Sequence, residues 1–110
     1  NMWFNINGEG GYHVTHTHPN SMFSGVYYIS APVNSGSINF ENPNLDTMQY
    51  DWRDKFKDIF NEVNSENYYM TAFTGRLLIF PSWLKHSVSQ NLTKENRISL
   101  SFNAQVGDNN

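Results

Sequence analysis

The chain has 110 residues, the length of one domain, and we expect a single domain over residues 1–110. Its net charge is −3 and only 15% of its residues are charged, so no basic stripe is available to neutralise nucleic-acid phosphates. The absence of cysteine excludes disulfide scaffolds, thiolate zinc sites and cysteine nucleophiles. Apolar runs of about five residues are far shorter than the roughly 20 of a membrane helix. We therefore expect a cytoplasmic protein that binds neither nucleic acid nor membrane.

The dominant hydrophobic period along the chain is two, which predicts β-strands. Short segments rich in Tyr, Ile, Val and Phe alternate with clusters of Gly, Pro, Asn and Ser that are typical of turns. We predict eight strands, near residues 2–7, 11–18, 23–31, 36–41, 68–73, 76–81, 85–91 and 97–105. Eight short strands with regular turns predict an all-β sandwich or jelly-roll barrel.

One stretch departs from this pattern. Between residues 46 and 65 the apolar residues recur at helical spacing, with Asp and Lys on the opposite face, which predicts one short helical insertion. Because the sequence opens on Asn1 rather than Met, without a basic-then-apolar leader, we expect it to be part of a longer gene product.

The last predicted strand separates a polar face from an apolar one. Arg97, Ser99, Ser101 and Asn103 point one way, whereas residues 98, 100 and 102 point the other. In a sandwich the polar face would meet water, and in a barrel with an interior site it would line the pocket. Arg97 is then either part of a surface salt bridge or a clamp for a carboxylate, since its planar fork matches that group.

Three of the four histidines form a candidate metal site. His16 and His18 are two residues apart on a predicted strand, so both side chains leave the same face, while His13 has the opposite parity and is expected to point away. His86 lies in a late strand that a barrel can bring beside the early one. The three would leave coordination positions open for substrate and oxygen. The alternatives are surface histidines at 16 and 18 and a core histidine at 86.

Five segments together resemble the 2-oxoglutarate/Fe(II) oxygenases, in particular a small group from marine bacteria, phages and metagenomes, and more distantly the prolyl-hydroxylase-like branch. They are HTHPNS (16–21), SGVYYI (24–29), GSINF (36–40), GRLLIFPSWLKHSV (75–88) and RISLSFN (97–103). The resemblance covers nearly the whole chain. It implies a double-stranded β-helix, the jelly-roll architecture shared with cupins.

The resemblance also implies roles for individual residues. His16, His18 and His86 would be the catalytic Fe(II) ligands, and Arg97 would hold the remote carboxylate of 2-oxoglutarate with Ser101 as a hydroxyl partner. Tyr28 matches a strand position beside the cosubstrate, and Asn103 joins the implied cofactor-binding group because it shares a face with Arg97 and Ser101. The implied reaction is that of a dioxygenase that uses molecular oxygen. It couples decarboxylation of 2-oxoglutarate to oxidation of a C–H bond in a small-molecule or peptidyl substrate.

His18 stands where most of the superfamily has a carboxylate, so three neutral imidazoles leave the metal site with one more positive charge. Three-histidine sites also occur in cupins that use no 2-oxoglutarate. A cupin-like metalloprotein with another reaction and a non-catalytic jelly-roll binding module are therefore the alternatives. The short chain leaves little material to cover the outward residues Ile98, Leu100 and Phe102, which would need cover from residues 46–65 or from another subunit. We expect a homodimer.

Overall fold

In the computed structural model, which describes residues 1–43 and 67–105, the chain forms two antiparallel four-stranded sheets. The first sheet has the order β1-β8-β3-β6, and the second has the order β2-β7-β4-β5. The strands are β1 (Met2–Asn7), β2 (His13–His16), β3 (Phe23–Ser30), β4 (Ser37–Glu41), β5 (Asn67–Thr71), β6 (Leu77–Pro81), β7 (His86–Val88) and β8 (Arg97–Ala104).

The prediction of an all-β jelly roll is confirmed. Each of the eight predicted strands overlaps one observed strand, and consecutive strands along the chain lie in opposite sheets, except for β4 and β5, which pair with each other in the second sheet. β2 is shorter than predicted, so His18 lies beyond its end. The helix predicted over residues 46–65 lies outside the described residues.

Strand β8 occupies an interior position in the first sheet and pairs with β1 on one side and β3 on the other. Its side chains alternate as predicted. Arg97 and Ser99 are buried, whereas Ile98 and Leu100 are only half-buried. The polar side of β8 therefore faces the second sheet. The space between the sheets is lined by polar and aromatic side chains as well as aliphatic ones.

The buried apolar core is small. Among the described residues only six hydrophobic side chains are buried, namely Val26, Tyr28, Ala31, Ile38, Ala72 and Phe80. Seven polar or charged residues are equally inaccessible: Ser24, Ser35, Ser82, His86, Asn91, Arg97 and Ser99. Buried polar groups need hydrogen-bond partners. Much of this interior is thus organised by polar contacts.

The outer face of the first sheet is apolar and exposed. The outward residues that stand on its edge strands, such as Phe4 and Ile6 on β1 and Ile79 on β6, are more than half exposed. None of the outward side chains of these four strands is charged. A contiguous apolar face of this kind marks an interaction surface. In the described part of the chain no helix is long and apolar enough to cross a membrane.

Two loops meet at Gly36 beneath the start of β8. Its φ of +108° belongs to the region that favours glycine. A Cβ at this position would lie 2.7 Å from Nη1 of Arg97 and 2.8 Å from the carbonyl oxygen of Ser89. The absence of a side chain at Gly36 therefore allows the backbone to approach the Arg97 guanidinium.

We expect Gly36→Ala to destabilise the protein by about 3 kcal/mol, because backbone strain adds to a clash with a carbonyl group that cannot move away freely. Gly75→Ala is the matched control, since Gly75 has a φ of +87° but a Cβ added there would have no atom within 4 Å. That variant should lose only about 1 kcal/mol. Urea unfolding measures both values, and equal losses would show that the space beside Arg97 is not constrained.

Candidate active site

Three histidines converge at one end of the space between the sheets. His16 ends β2, His86 begins β7 directly opposite it, and His18 follows β2 by two residues. Their nearest ligand nitrogens all lie within 4.8 Å of one another. The backbone N–H of His18 donates to the carbonyl oxygen of Ser82 at 3.0 Å, which fixes the chain beyond the end of β2. The residues proposed from the sequence as a metal site are thus adjacent in space.

Backbone carbonyls orient two of the three imidazoles. Nδ1 of His16 lies 2.6 Å from the carbonyl oxygen of Val14, and Nδ1 of His86 lies 2.8 Å from that of Leu84. A carbonyl oxygen can only accept, so each Nδ1 carries the proton and each Nε2 keeps its lone pair. Metal-binding histidines commonly have this arrangement, in which the second ring nitrogen donates to a carbonyl. Both side chains therefore present Nε2 as a ligand.

The spacing of the imidazoles suits a divalent ion. Nε2 of His18 and Nε2 of His86 are 3.2 Å apart. Two nitrogens bound at about 2.1 Å to one ion would be about 3.0 Å apart at a right angle and about 3.4 Å apart at a tetrahedral angle. The observed distance falls between these values. Imidazole nitrogen is a suitable ligand for iron, although also for zinc, copper and nickel.

Burial favours the neutral form of His18 and His86, which is the form that binds metal. The pKa of His86 is lowered from 6.5 to about 4, mainly by burial and in smaller part by positive charge on the neighbouring histidines, whereas its hydrogen bond to Leu84 acts in the opposite direction. Burial also lowers the pKa of His18, with a smaller contribution from His16. The rings of Phe40 and Phe80 pack near His86 and exclude water from it.

A chain of side-chain hydrogen bonds supports His18 from β8. Asn103 accepts a hydrogen bond from the hydroxyl of Ser24 at 2.6 Å, and Ser24 lies 2.8 Å from the hydroxyl of Ser82. Nδ2 of Asn103 is 3.5 Å from Nδ1 of His18, a long contact. Asn103 thus lies beside the metal-binding histidines and links β8 to β3.

Arg97 is buried inside the same pocket, with 1% of its surface exposed. Its Nη1 donates to the carbonyl oxygens of Ser35 and, at 3.4 Å, Ser89. Its Nη2 is buried and has no hydrogen-bond partner. Burial lowers the pKa of Arg97, but an arginine remains charged in proteins. An unpaired buried guanidinium nitrogen is costly without a ligand, so it is suited to bind an anion.

The remaining predicted residues also line this pocket, a cavity of about 100 Å³. Tyr28 is 2% exposed and lies close enough to Arg97 for the two to influence each other's pKa; burial raises that of Tyr28. Ser101 accepts a hydrogen bond from Nδ2 of Asn5 at 2.7 Å. The pocket therefore contains all seven predicted site residues: His16, His18, Tyr28, His86, Arg97, Ser101 and Asn103.

The prediction that His13 points away is wrong. A β-bulge places three residue steps of β2, from His13 to His16, against two steps of β7, from Val88 to His86. The extra residue resets the alternation, so Val14 and Thr15 are both exposed and His13 lines the pocket. Strict alternation along the sequence could not show this.

Other pocket residues were not singled out from the sequence. Trp3, Asn5 and Asn7 project inward from β1, and Ser24 does so from β3. The inward residues of β1 could have been predicted from its alternation, because one aromatic and two amide side chains alternate there with Met2, Phe4 and Ile6. Nothing local marked Ser82, whose hydroxyl reaches Ser24 from a turn distant in sequence.

The metal-free protein should lose stability as the pH falls below neutrality. His86 has a pKa of about 4 when folded and about 6.5 when unfolded, so the unfolded chain binds the proton first. The stabilisation is present above pH 6.5 and is lost towards pH 4, by up to about 3 kcal/mol. Urea unfolding of chelator-treated protein between pH 7.5 and 5 should show about 2 kcal/mol of this loss. His86→Phe, which cannot titrate, should flatten the dependence; an unchanged slope would contradict this assignment.

The chain resembles solved oxygenase structures in fold. A 2OG-Fe(II) oxygenase family oxidoreductase from Burkholderia pseudomallei aligns over 93% of this chain and 41% of its own, with TM-score 0.66 and 12% identity. A prolyl-4-hydroxylase from Pseudomonas putida aligns over 96% and 51%, with TM-score 0.63 and 18% identity. The chain thus spans about half the length of these proteins or less. At such identities the likeness confirms the double-stranded β-helix alone.

Sequence comparison identifies the family. A search of curated proteins finds no match. The model of the family described as "Putative 2OG-Fe(II) oxygenase" matches residues 1–103, which include every strand except the last residue of β8. The chain therefore belongs to this 2-oxoglutarate/Fe(II) oxygenase family, as the resemblance of its segments predicts.

Proposed function

We propose that this domain acts as an Fe(II)/2-oxoglutarate-dependent dioxygenase, with hydroxylation as its reaction. In that reaction 2-oxoglutarate, O₂ and a substrate C–H bond give succinate, CO₂ and an alcohol. The observation that carries the proposal is the presence, in one pocket, of three convergent histidines and a buried guanidinium with an unpaired Nη2. The three histidines suit a metal, and the guanidinium suits a carboxylate.

His16 and His86 would hold Fe(II) through their Nε2 atoms, and His18 would be the third ligand. The hydrogen bonds to the carbonyl oxygens of Val14 and Leu84 orient two of these imidazoles before the ion binds, so little rearrangement is needed. When bound, the iron supplies the chemistry of oxygen activation, while the protein supplies position and a shielded pocket. Three ligands leave further coordination positions open for a cosubstrate and oxygen.

Arg97 would hold the remote carboxylate of 2-oxoglutarate. Its Nη1 is already engaged with two carbonyl oxygens, which fix the guanidinium in place, and its Nη2 remains to donate to the ligand. A charge-assisted hydrogen bond in a buried pocket is stronger than a neutral one. Tyr28 beside Arg97 and the hydroxyl of Ser101 would add donors, and Asn103 would keep His18 in place.

The alternative function is that of a three-histidine, cupin-like metalloprotein that uses no 2-oxoglutarate. It would need the same histidines, but it gives no reason for a guanidinium buried in the pocket with one nitrogen unpaired. Arg97 therefore favours the oxygenase, and the two functions differ in whether an oxodicarboxylate binds. A non-catalytic module would require neither feature.

An anaerobic titration of Fe(II)-loaded protein with 2-oxoglutarate tests the proposal through the visible metal-to-ligand charge-transfer band. We expect a saturable band that is absent in His86→Ala, which loses a ligand. In Arg97→Met the dissociation constant should rise at least about tenfold, since a hydrogen bond to a charged group contributes about 1.5–3 kcal/mol.

Arg76→Met is the matched control for the arginine. Arg76 lies over the Phe73 ring and donates to the carbonyl oxygen of Thr71, outside the pocket. Its loss should leave the band and its dissociation constant unchanged. Iron content and thermal unfolding of each variant are measured alongside. The absence of a band in wild-type protein that holds iron would refute the oxygenase and favour the cupin-like alternative.

We further propose that a second copy of the chain covers the outer face of the first sheet. The face is uncharged, so two copies of a protein with net charge −3 can meet there without bringing like charges together. Two-fold association brings the same apolar surface to both sides of an interface. Phe4, Tyr27 and Ile79 would then leave water.

Light scattering at micromolar concentration should give twice the monomer mass of 12.7 kDa. Ile79→Asp places a charge on the face and should give monomers, whereas Val33→Asp, at a residue 85% exposed elsewhere, should leave the dimer intact. A wild-type monomer would count against the second copy and in favour of another segment or protein as the cover.

A further inference from the structure

His13 lines the same pocket as Arg97, one register pair along β2 and β7 from His16. It pairs with Val88 in the register of β2 and β7, whereas His16 pairs with His86. The β-bulge between His13 and His16 turns both side chains inward. His13 is not among the residues whose nitrogens converge on the candidate metal position. Its place in the pocket thus needs a different explanation.

Asn7 holds the His13 ring against β1. Its Nδ2 lies 3.4 Å from Nε2 of His13, and Asn7 is the direct cross-strand partner of Arg97. An amide nitrogen can only donate, so Nε2 of His13 accepts and the proton lies on Nδ1. In the described part of the chain Nδ1 of His13 makes no hydrogen bond. One strand register therefore places the His13 ring and Arg97 in one neighbourhood.

The charge state of His13 agrees with this placement. Burial lowers its pKa, and the positive charge of Arg97 lowers it further. His13 is therefore neutral at pH 7 and adds a donor to the pocket without a second cationic side chain next to the guanidinium. Arg97 itself offers an unpaired Nη2. A carboxylate has two oxygens and about four lone-pair sites, more than one guanidinium nitrogen can satisfy.

We propose that His13 is a second donor to the carboxylate held by Arg97, so that the two side chains together select a 2-oxo acid that carries a distal carboxylate. The inference rests on the proposed function, because it assigns His13 to the same cosubstrate. His13 would touch the ligand but neither bind the metal nor take part in the oxidation.

The test compares two ligands on anaerobic Fe(II)-loaded protein, 2-oxoglutarate and 2-oxobutanoate, which lacks the distal carboxylate. Dissociation constants come from the charge-transfer band and from calorimetry, and no turnover is needed. In His13→Phe we expect binding of 2-oxoglutarate to weaken about tenfold or more and binding of 2-oxobutanoate to change less than about twofold. His13→Gln, which keeps an N–H donor, should recover part of the loss.

Thr15→Ala is the matched control, because Thr15 lies in the same bulge but is exposed. Its dissociation constants and the iron content of all variants should equal those of the wild type. Equal weakening of both ligands in His13→Phe would show a merely structural role and overturn the inference. So would unchanged 2-oxoglutarate binding in His13→Phe beside weakened binding in Arg97→Met. Failure of wild-type, iron-loaded protein to bind 2-oxoglutarate would instead refute the proposed function together with this inference.

Discussion

The buried guanidinium of Arg97 is the constraint on which the rest of the pocket depends. No Asp or Glu lines the cavity among the described residues, and the carbonyl oxygens of Ser35 and Ser89 provide only partial charges against it. An ion removed from water without a counterion costs several kcal/mol. The fold holds Arg97 at the start of β8, in a strand that pairs on both sides, with Gly36 next to its guanidinium. A charge held in this way has most to gain from an anionic ligand.

The three histidines change the charge balance of such a pocket. With neutral imidazoles a divalent ion keeps its two positive charges, and Arg97 adds a third. A carboxylate in place of His18 would lower this sum by one. A dianion such as 2-oxoglutarate compensates more of the charge than a monoanionic 2-oxo acid can. With a divalent ion bound, His18 in place of the carboxylate would therefore strengthen the electrostatic preference for a dicarboxylate, although it would also alter the metal centre.

Alternation predicted the fold because each strand buries one face. The alternation of polar and apolar residues in β8 predicted that Arg97 faces the pocket. The pairing of an early strand with a late one predicted that His16 and His86 meet there. The same rule failed at His13, because one extra residue in a bulge reverses the parity, and the bulge appears only when β2 is registered against β7. Contacts between residues distant in sequence, such as that of Ser24 on β3 with Ser82, likewise depend on tertiary structure. Such contacts leave no periodic pattern in the sequence from which they could be predicted.

The polar interior and the apolar exterior both follow from the small number of side chains that the domain can bury. A domain this small has few side chains to bury, and here many of the interior positions bear amides, hydroxyls and imidazoles. The edge strand β2 is joined to the second sheet by only two register pairs on either side of a bulge. A metal ion bound by His16, His18 and His86 would join β2, the segment after it and β7 through stronger bonds than the backbone supplies there. Because a ligand that binds only the folded state stabilises it, occupation of the site and integrity of this edge are linked.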